Sequence, residues 1–310
     1  MRNVTLRQLR TFAEVARRMS FTAAAKTLHL TQPAVSMQVR QLEATAGLPL
    51  FDQVGKRIQL TQAGRELLDY ATGISALVRQ AGEAMIALKG IGGGELAIAV
   101  VSTAKYFAPR LLAEFRRRHP EVKLRLVVNN REVVVQELAA NSIDLAIMGR
   151  PPRGLDTEAT AFARHPIAIV ASPEHPLAGR KRIALQSLSG ETFIIRERGS
   201  GTRAAMEHVF SARGFRTRDV LEMSSNETIK QAVMAGMGVA FLSMHTIGLE
   251  LRAGRLVTLG VAGLPVMRDW HVIHRRQKRL SPAGGLFKAF LLADGARLID
   301  ETVNLPNRPR

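Results

Sequence analysis

Cysteine is absent from the 310 residues, which excludes disulfides, iron–sulfur clusters, thiolate metal sites and cysteine nucleophiles, and agrees with a cytoplasmic protein. Long apolar runs are also missing. The charge-free stretch at residues 232–249 is interrupted by Gly236, Gly238, Ser243, His245, Thr246 and Gly248, so it reads as helix, turn and strand of a soluble fold rather than a membrane span. No apolar block follows Arg2, Arg7 and Arg10, so no secretory signal is expected. His-Glu-x-x-His and Gly-x-Ser-x-Gly do not occur, Gly236-Met-Gly238 lacks the third glycine of a dinucleotide fingerprint, and His271 and His274 alternate poorly for a shared metal. An enzyme is therefore not expected, nor a resident cofactor or metal.

Acidic residues are scarce: 26 Asp and Glu face 44 Lys and Arg, a net charge of +18. Such a field draws nucleic acid and other polyanions. Residues 1–60 carry nine basic and three acidic groups, residues 61–89 three of each, and residues 90–310 thirty-two and twenty, so two basic units flank a neutral one.

In the first unit Leu6, Leu9, Phe12, Ala13, Val15, Ala16 and Met19 form one stripe of a helix over residues 5–18. Ser20 is placed to cap a short second helix with Phe21, Ala24, Ala25 and Leu28 inward. Thr31 opens a third, with Pro33 in its first turn and Val35, Val39 and Leu42 buried. Helix, tight turn and helix of this size form a helix-turn-helix, whose second helix enters the major groove by its start. Gln32 can pair with adenine, Ser36 can serve base or phosphate, Ala34 can meet a thymine methyl, and Arg40 suits phosphate. Two short strands about Val54-Gly55-Lys56-Arg57 make a wing, with Lys56 and Arg57 aimed at the backbone or minor groove.

Residues 61–89 keep helical spacing in Ala63, Leu67, Leu68, Ala71, Ile74, Leu77, Val78, Ala81, Met85 and Leu88. A rod of this kind cannot bury its stripe alone, and a second copy is the economical partner. Gly90, Gly92, Gly93 and Gly94 form a joint over residues 90–94.

Beyond it strand and helix alternate, which predicts a parallel sheet covered by helices. Strands fall at residues 95–101, 122–128, 144–148, 167–171, 193–195, 220–223, 239–242 and 270–274. The pattern restarts once, so two α/β lobes with a cleft between them are expected, one from residues 95–162 and 268–303, the other from 163–267, with residues 304–310 a frayed tail. Ser102-Thr103, Gly199-Ser200-Gly201-Thr202 and Ser225-Asn226 stand at helix starts, and three such starts meeting at a cleft form an anion site. Lys105, Arg131, Arg150, Arg153, Arg198 and Arg203 lie near those turns, and guanidinium forks suit phosphate or carboxylate. Solute-binding proteins have similar lobes, but that reading leaves residues 1–60 unexplained.

The strings Leu6-Arg-Gln-Leu-Arg-Thr-Phe12, Ser20-Phe21-Thr22-Ala-Ala-Ala25, Leu30-Thr31-Gln32-Pro33-Ala34-Val35-Ser36, Gln41-Leu42-Glu43 and Leu50-Phe51 resemble the signature of LysR-type transcriptional regulators. The likeness covers essentially the whole chain. It implies a fold of winged helix-turn-helix, long linker helix and two α/β lobes like a type 2 periplasmic-binding protein. It also implies base-reading positions at Gln32, Pro33, Ser36 and Met37, where many relatives carry Arg or Lys in place of Met37. Ser102-Thr103-Ala-Lys105, Gly149-Arg150, Gly199-Ser-Gly-Thr202-Arg203, Ser225-Asn226-Glu227 and His245-Thr246 look like those members that regulate Calvin-cycle, carbon dioxide fixation operons. By that likeness the partners are double-stranded operator DNA, a second copy of the chain in a homodimer or dimer of dimers, RNA polymerase, and a small anionic effector: a phosphorylated sugar, a related metabolite or NADPH. The candidate effector residues are Ser102, Thr103, Lys105, Asn130, Arg131, Gly149, Arg150, Arg198, Gly201, Thr202, Arg203, Asn226, Glu227 and His245.

Overall fold

A computed structural model of the chain describes residues 3–55, 57–88 and 94–303, so Lys56, most of the glycine joint and the carboxy-terminal tail lie outside the described residues. The chain forms two compact units, which divide close to the glycine joint.

The first unit contains α1 (Leu6–Arg18), α2 (Phe21–Leu28), α3 (Gln32–Ala46), β1 (Phe51–Val54), β2 (Arg57–Leu60) and α4 (Gln62–Leu88). Each of the first three helices starts on a hydroxyl. Thr5 Oγ1 accepts from Gln8 N at 3.2 Å, Ser20 Oγ from Ala23 N at 3.2 Å and Thr31 Oγ1 from Ala34 N at 3.4 Å, each satisfying an amide the helix leaves free. Phe12, Val15, Val35, Val39 and Leu42 are fully buried, and Phe51 of β1 stands 5.5 Å from the Phe12 ring and 5.6 Å from that of Phe21. Two polar contacts set the helices in register. Thr11 Oγ1 donates to buried Gln38 Oε1 at 2.6 Å, and Glu43 Oε1 accepts from Leu50 N at 2.8 Å, fastening α3 to the hairpin. β1 and β2 pair antiparallel from Phe51 with Leu60 to Val54 with Arg57. α4 buries Leu67 and Ala71 against α1 but leaves Ile74, Leu77, Val78 and Met85 exposed.

The second unit runs β3 (Gly94–Val101), a 3-10 turn (Ala104–Tyr106), α5 (Ala108–Arg118), β4 (Val122–Asn129), α6 (Arg131–Ala139), β5 (Leu145–Met148) and β6 (Thr157–Ala171). It continues with β7 (Thr192–Arg196), α7 (Gly201–Ala212), β8 (Asp219–Met223), α8 (Asn226–Met234), β9 (Val239–Ser243), α9 (Gly248–Arg252), β10 (Val257–Thr258), β11 (Val266–Arg275) and α10 (Pro282–Val303). The strands form one sheet in the order β4-β3-β5-β11-β6-β9-β7-β8, with β10 on β6. Lobe I, which holds β3, β4, β5, α5 and α10, packs Phe107, Phe115, Phe287 and Leu291 against Leu96, Ile98 and Leu145, and lobe II holds β7, β8, β9, α7 and α8. Lobe II buries Phe193, Phe210 and Phe241 on one sheet face and Ile194, Ile229 and Val233 on the other.

Two sequence expectations need correction. The sheet is mixed: β6 and β11 run antiparallel for ten residue pairs and pass through both lobes. β6 also starts ten residues before the apolar run at residues 167–171, because its first half is mostly half-buried or exposed and offers no continuous apolar signal. Ser102 and Thr103, in turn, open only the three-residue 3-10 turn, where Thr103 makes no capping bond; α5 begins after Phe107.

Candidate functional site

At the start of α3, Thr31, Gln32, Pro33, Met37 and Arg40 are exposed, while Ala34 and Ser36 are half-buried. Gln32, Pro33, Ser36, Met37 and Arg40 share one shallow surface with Gln41 and Ala44. Val35, Val39 and Leu42 point the other way into the core, so helical periodicity presents the polar positions outward. Arg57 opens β2, beside the wing turn.

The second candidate site is the cleft between the lobes, a cavity of about 560 Å³. Strand ends and one helix start build it: Val101, Ser102 and Thr103 after β3, Met148, Gly149 and Arg150 at β5, Arg196 closing β7, and Ser200, Gly201 and Thr202 at the start of α7. His165 and Ile167 of β6 and Val266 and Arg268 of β11 form its floor. Arg131 and Arg153 complete the cationic wall beside His208, and among the described residues no Asp or Glu stands on it. Ser200 accepts from Thr202 N at 3.2 Å, which opens α7 with its free amides at the cavity.

The arginines there differ in kind. Arg196 is 3 % exposed and satisfied internally: Nε and Nη2 donate to Glu197 at 2.7 and 2.8 Å, Nη1 to Asn226 Oδ1 at 2.6 Å and Nη2 to Ser102 Oγ at 3.1 Å. It positions Ser102 across the lobes rather than offering a free fork. Arg131 and Arg268 are destabilised as cations. Burial, then the charge of Arg150, lowers the pKa of Arg131; burial, then Arg150 and Arg131, lowers that of Arg268. Three guanidinium groups thus repel one another at a wall without a carboxylate, the field that an anion relieves.

Behind this wall lies an aromatic stack. The His165 ring lies 4.0 Å from that of Trp270 at 18°, with its Nε2 2.9 Å from Ser243 Oγ. Trp270 Nε1 donates to His245 Nδ1 at 2.9 Å, and Phe107 meets Trp270 edge-on at 5.1 Å. Gly149 is required here: a Cβ on it would stand 2.9 Å from His165 Nδ1.

Of the candidate effector residues, Ser102, Thr103, Arg131, Gly149, Arg150, Gly201 and Thr202 come together in the cleft. The others lie elsewhere. Lys105 and buried Lys230 flank the Tyr106 ring at 5.1 and 4.9 Å, and Tyr106 Oη donates to Glu227 Oε1 at 2.5 Å, so Lys105 and Glu227 belong to a seam between the lobes. Asn130 Oδ1 accepts from Val133 N at 3.0 Å and caps α6. Arg203 is engaged by Glu222 and by Glu207 at 2.8 Å, and lies with Arg198 in an adjoining groove. Asn226 holds Arg196, and His245 belongs to the stack. Sequence reasoning missed His165, Arg196, His208 and Arg268. His165 and Arg196 had a signal: each bounds an apolar run, His165 preceding Pro166-Ile167 and Arg196 following Phe193-Ile194-Ile195.

Residues 6–65 match the bacterial regulatory helix-turn-helix family of LysR type, and residues 89–296 match the LysR substrate binding domain. The chain belongs to the LysR family of transcriptional regulators. Its relatives carry the names of regulators, not enzymes. This LysR regulator is 53 % identical over 296 residues to the RuBisCO operon transcriptional regulator of Allochromatium vinosum, covering 96 % of this chain and 98 % of the relative. It is 52 % identical over 288 residues to the HTH-type transcriptional regulator CbbR of Rhodospirillum rubrum, covering 93 % and 96 %. Among solved structures, the regulatory domain of CcmR from Synechocystis PCC6803 in complex with 2-PG matches with a TM-score of 0.63 and 39 % identity, over 65 % of this chain and 96 % of that domain. The amino-terminal unit of this regulator is thus a DNA-binding helix-turn-helix and the carboxy-terminal unit an effector-binding domain. Among the described residues, no helix is long and apolar enough to cross a membrane.

Proposed function

We propose that this LysR regulator controls carbon dioxide fixation operons, and that a small phosphorylated or carboxylated anion binds in the cleft between its lobes. The observation that carries the effector class is the wall itself, where Arg131, Arg150 and Arg268 repel one another beside the free amides of α7 and no carboxylate among the described residues balances them. The 2-PG complex of the CcmR domain supports a phosphorylated acid; a phosphorylated sugar or NADPH shares that chemistry. The operon class rests on the name of the Allochromatium vinosum relative, a RuBisCO operon transcriptional regulator at 53 % identity.

Gln32, Ser36 and Met37 read bases in this proposal, while Arg40, Lys56 and Arg57 hold phosphates. The exposed stripe of Ile74, Leu77, Val78 and Met85 pairs α4 with its copy, so a homodimer or dimer of dimers spans a dyad operator. Regulation follows from linkage: the anion binds one arrangement of the lobes better than another, and DNA binding shifts by that differential affinity and no more. Trp270 is the only tryptophan and lies behind the cleft, so its emission reports occupancy. Titrating the full chain with 2-PG and sugar phosphates should shift that emission, with matching calorimetric heats and altered retardation of a fragment from a carbon-fixation promoter. Silence toward every phosphorylated compound would overturn the effector reading, and failure to retard such promoters the operon reading.

A further inference from the structure

Lobe II carries a second concentration of positive charge, at the end opposite the cleft. β7, β8 and β9 run parallel and β6 antiparallel to β9, so the starts of β7, β8 and β9 gather beside the end of β6, away from Arg196 and the start of α7. Three chain segments knit together there. Ile183 N donates to Gly260 O at 2.9 Å and Ala262 N to Ile183 O at 2.9 Å, while the Arg213 guanidinium holds Ala262 O at 2.9 Å and Gly263 O at 3.0 Å. Ile183, Phe215 and Val261 share one core cluster beneath them.

Residues 176–190, 208–218 and 251–268 contain no Asp or Glu. From the first two of these segments Arg180, Lys181, Arg182, Arg216 and Arg218 stand exposed. Several surface arginines of the unit are paired, Arg110 with Glu301, Arg118 with Glu114 and Asp294, and Arg297 with Asp294 and Glu301. Glu191 and Asp219, at the starts of β7 and β8, face His175 and Thr192 instead, so among the described residues five cations outnumber the carboxylates at this end, raise the local potential and favour a partner that brings several negative charges at once.

We propose that this end of lobe II is a second, sequence-independent contact for duplex DNA, taking the sugar-phosphate backbone alone. Two observations favour DNA over an acidic protein. Among the described residues of segments 179–183, 213–220 and 260–264 a single large apolar side chain, Val220, stands exposed, whereas protein interfaces are built around an apolar centre. The same chain also carries a DNA-reading unit, so a duplex it binds is already tethered to lobe II through one covalent joint. Neither the base-reading residues nor the effector cleft takes part, so the inference stands apart from the effector proposal.

The test uses the full chain and two duplexes with the same operator core, one ending at the footprint of the reading unit and one extended by random flanks. The variant combines R180Q, K181Q, R182Q, R216Q and R218Q; a control carries Lys in place of the four arginines. On the extended duplex the neutral variant should bind about tenfold or more weakly at physiological salt, and its salt slope should fall by about 0.9 for each phosphate that is no longer neutralised. The control should keep the slope, and the short duplex should bind all three proteins equally. Equal slopes for wild type and neutral variant on the extended duplex overturn the proposal. So does an equal weakening on both duplexes, and so does unchanged DNA affinity with abolished transcription in a reconstituted reaction, which would point to an acidic protein.

Discussion

The indole Nε1 of Trp270 donates to Nδ1 of His245 at 2.9 Å, so His245 is held neutral with its proton on Nε2. Burial drives its pKa down from 6.5 to about 4. Burial, then the charges of His245 and Arg268, also lowers that of His165. As pH falls through 6.5 the unfolded chain takes up a proton that the folded chain refuses until about 4, so stability is lost over that window. For His245 the loss by pH 5 amounts to about 2 kcal/mol. Urea unfolding at pH 7.5 and 5 should show it, with a smaller difference in H245Q. An H245Q chain as pH-sensitive as wild type would count against the assignment.

Replacing Arg268 by Gln should separate binding from stability. The variant removes a partly buried cation that Arg150 and Arg131 repel, so the unliganded chain should gain stability. Affinity for a phosphorylated acid should fall at least about tenfold, because a charge-assisted fork is removed. Thermal denaturation and Trp270 emission read the two effects on the same sample.

Tyr106 and Glu227 tie lobe I to lobe II through a 2.5 Å hydrogen bond. Burial, reinforced by that bond, raises the phenol pKa, so the hydroxyl remains a donor throughout the neutral range. Y106F should cost about 1–2 kcal/mol in denaturant unfolding, with Glu227 retaining Lys230 at 2.9 Å. A neutral outcome would show that the bond exchanges evenly with water.

On DNA, Q32A should lose about 1–3 kcal/mol on the operator and relax base preference, because a bidentate contact to adenine disappears. M37R should do the reverse to general affinity. Met37 is 55 % exposed on the reading face, and an added arginine there should steepen the salt slope by about 0.9. Gel retardation over a salt series, with operator and random duplexes, distinguishes the two.

The amino-terminal unit was legible nearly residue by residue, since its helices start on local signals: Ser20 and Thr31 cap where their hydroxyls lie one turn before free amides. The cleft was legible in outline only. Gly201 and Thr202 announce themselves as a helix start, but Arg203, three positions after Ser200, faces Glu207 and Glu222 instead of the cavity. Which way an arginine turns depends on carboxylates supplied from another strand, and that pairing is long-range. Trp270 and His245 likewise meet only because β11 passes both lobes, a strand whose length the apolar pattern understated.

The antiparallel ribbon of β6 and β11 limits how the regulator can move. Ten residue pairs, from Val266 with Ile167 to Arg275 with Thr157 and broken once between Trp270 and His271, resist bending of the ribbon. Relative rotation of the lobes must instead be spread along the ribbon as added twist, the deformation a two-stranded ladder accepts most easily. The irregularity between Trp270 and His271 interrupts the ladder where β11 carries the only indole of the sequence, and an irregularity of this kind increases the local twist of its strand.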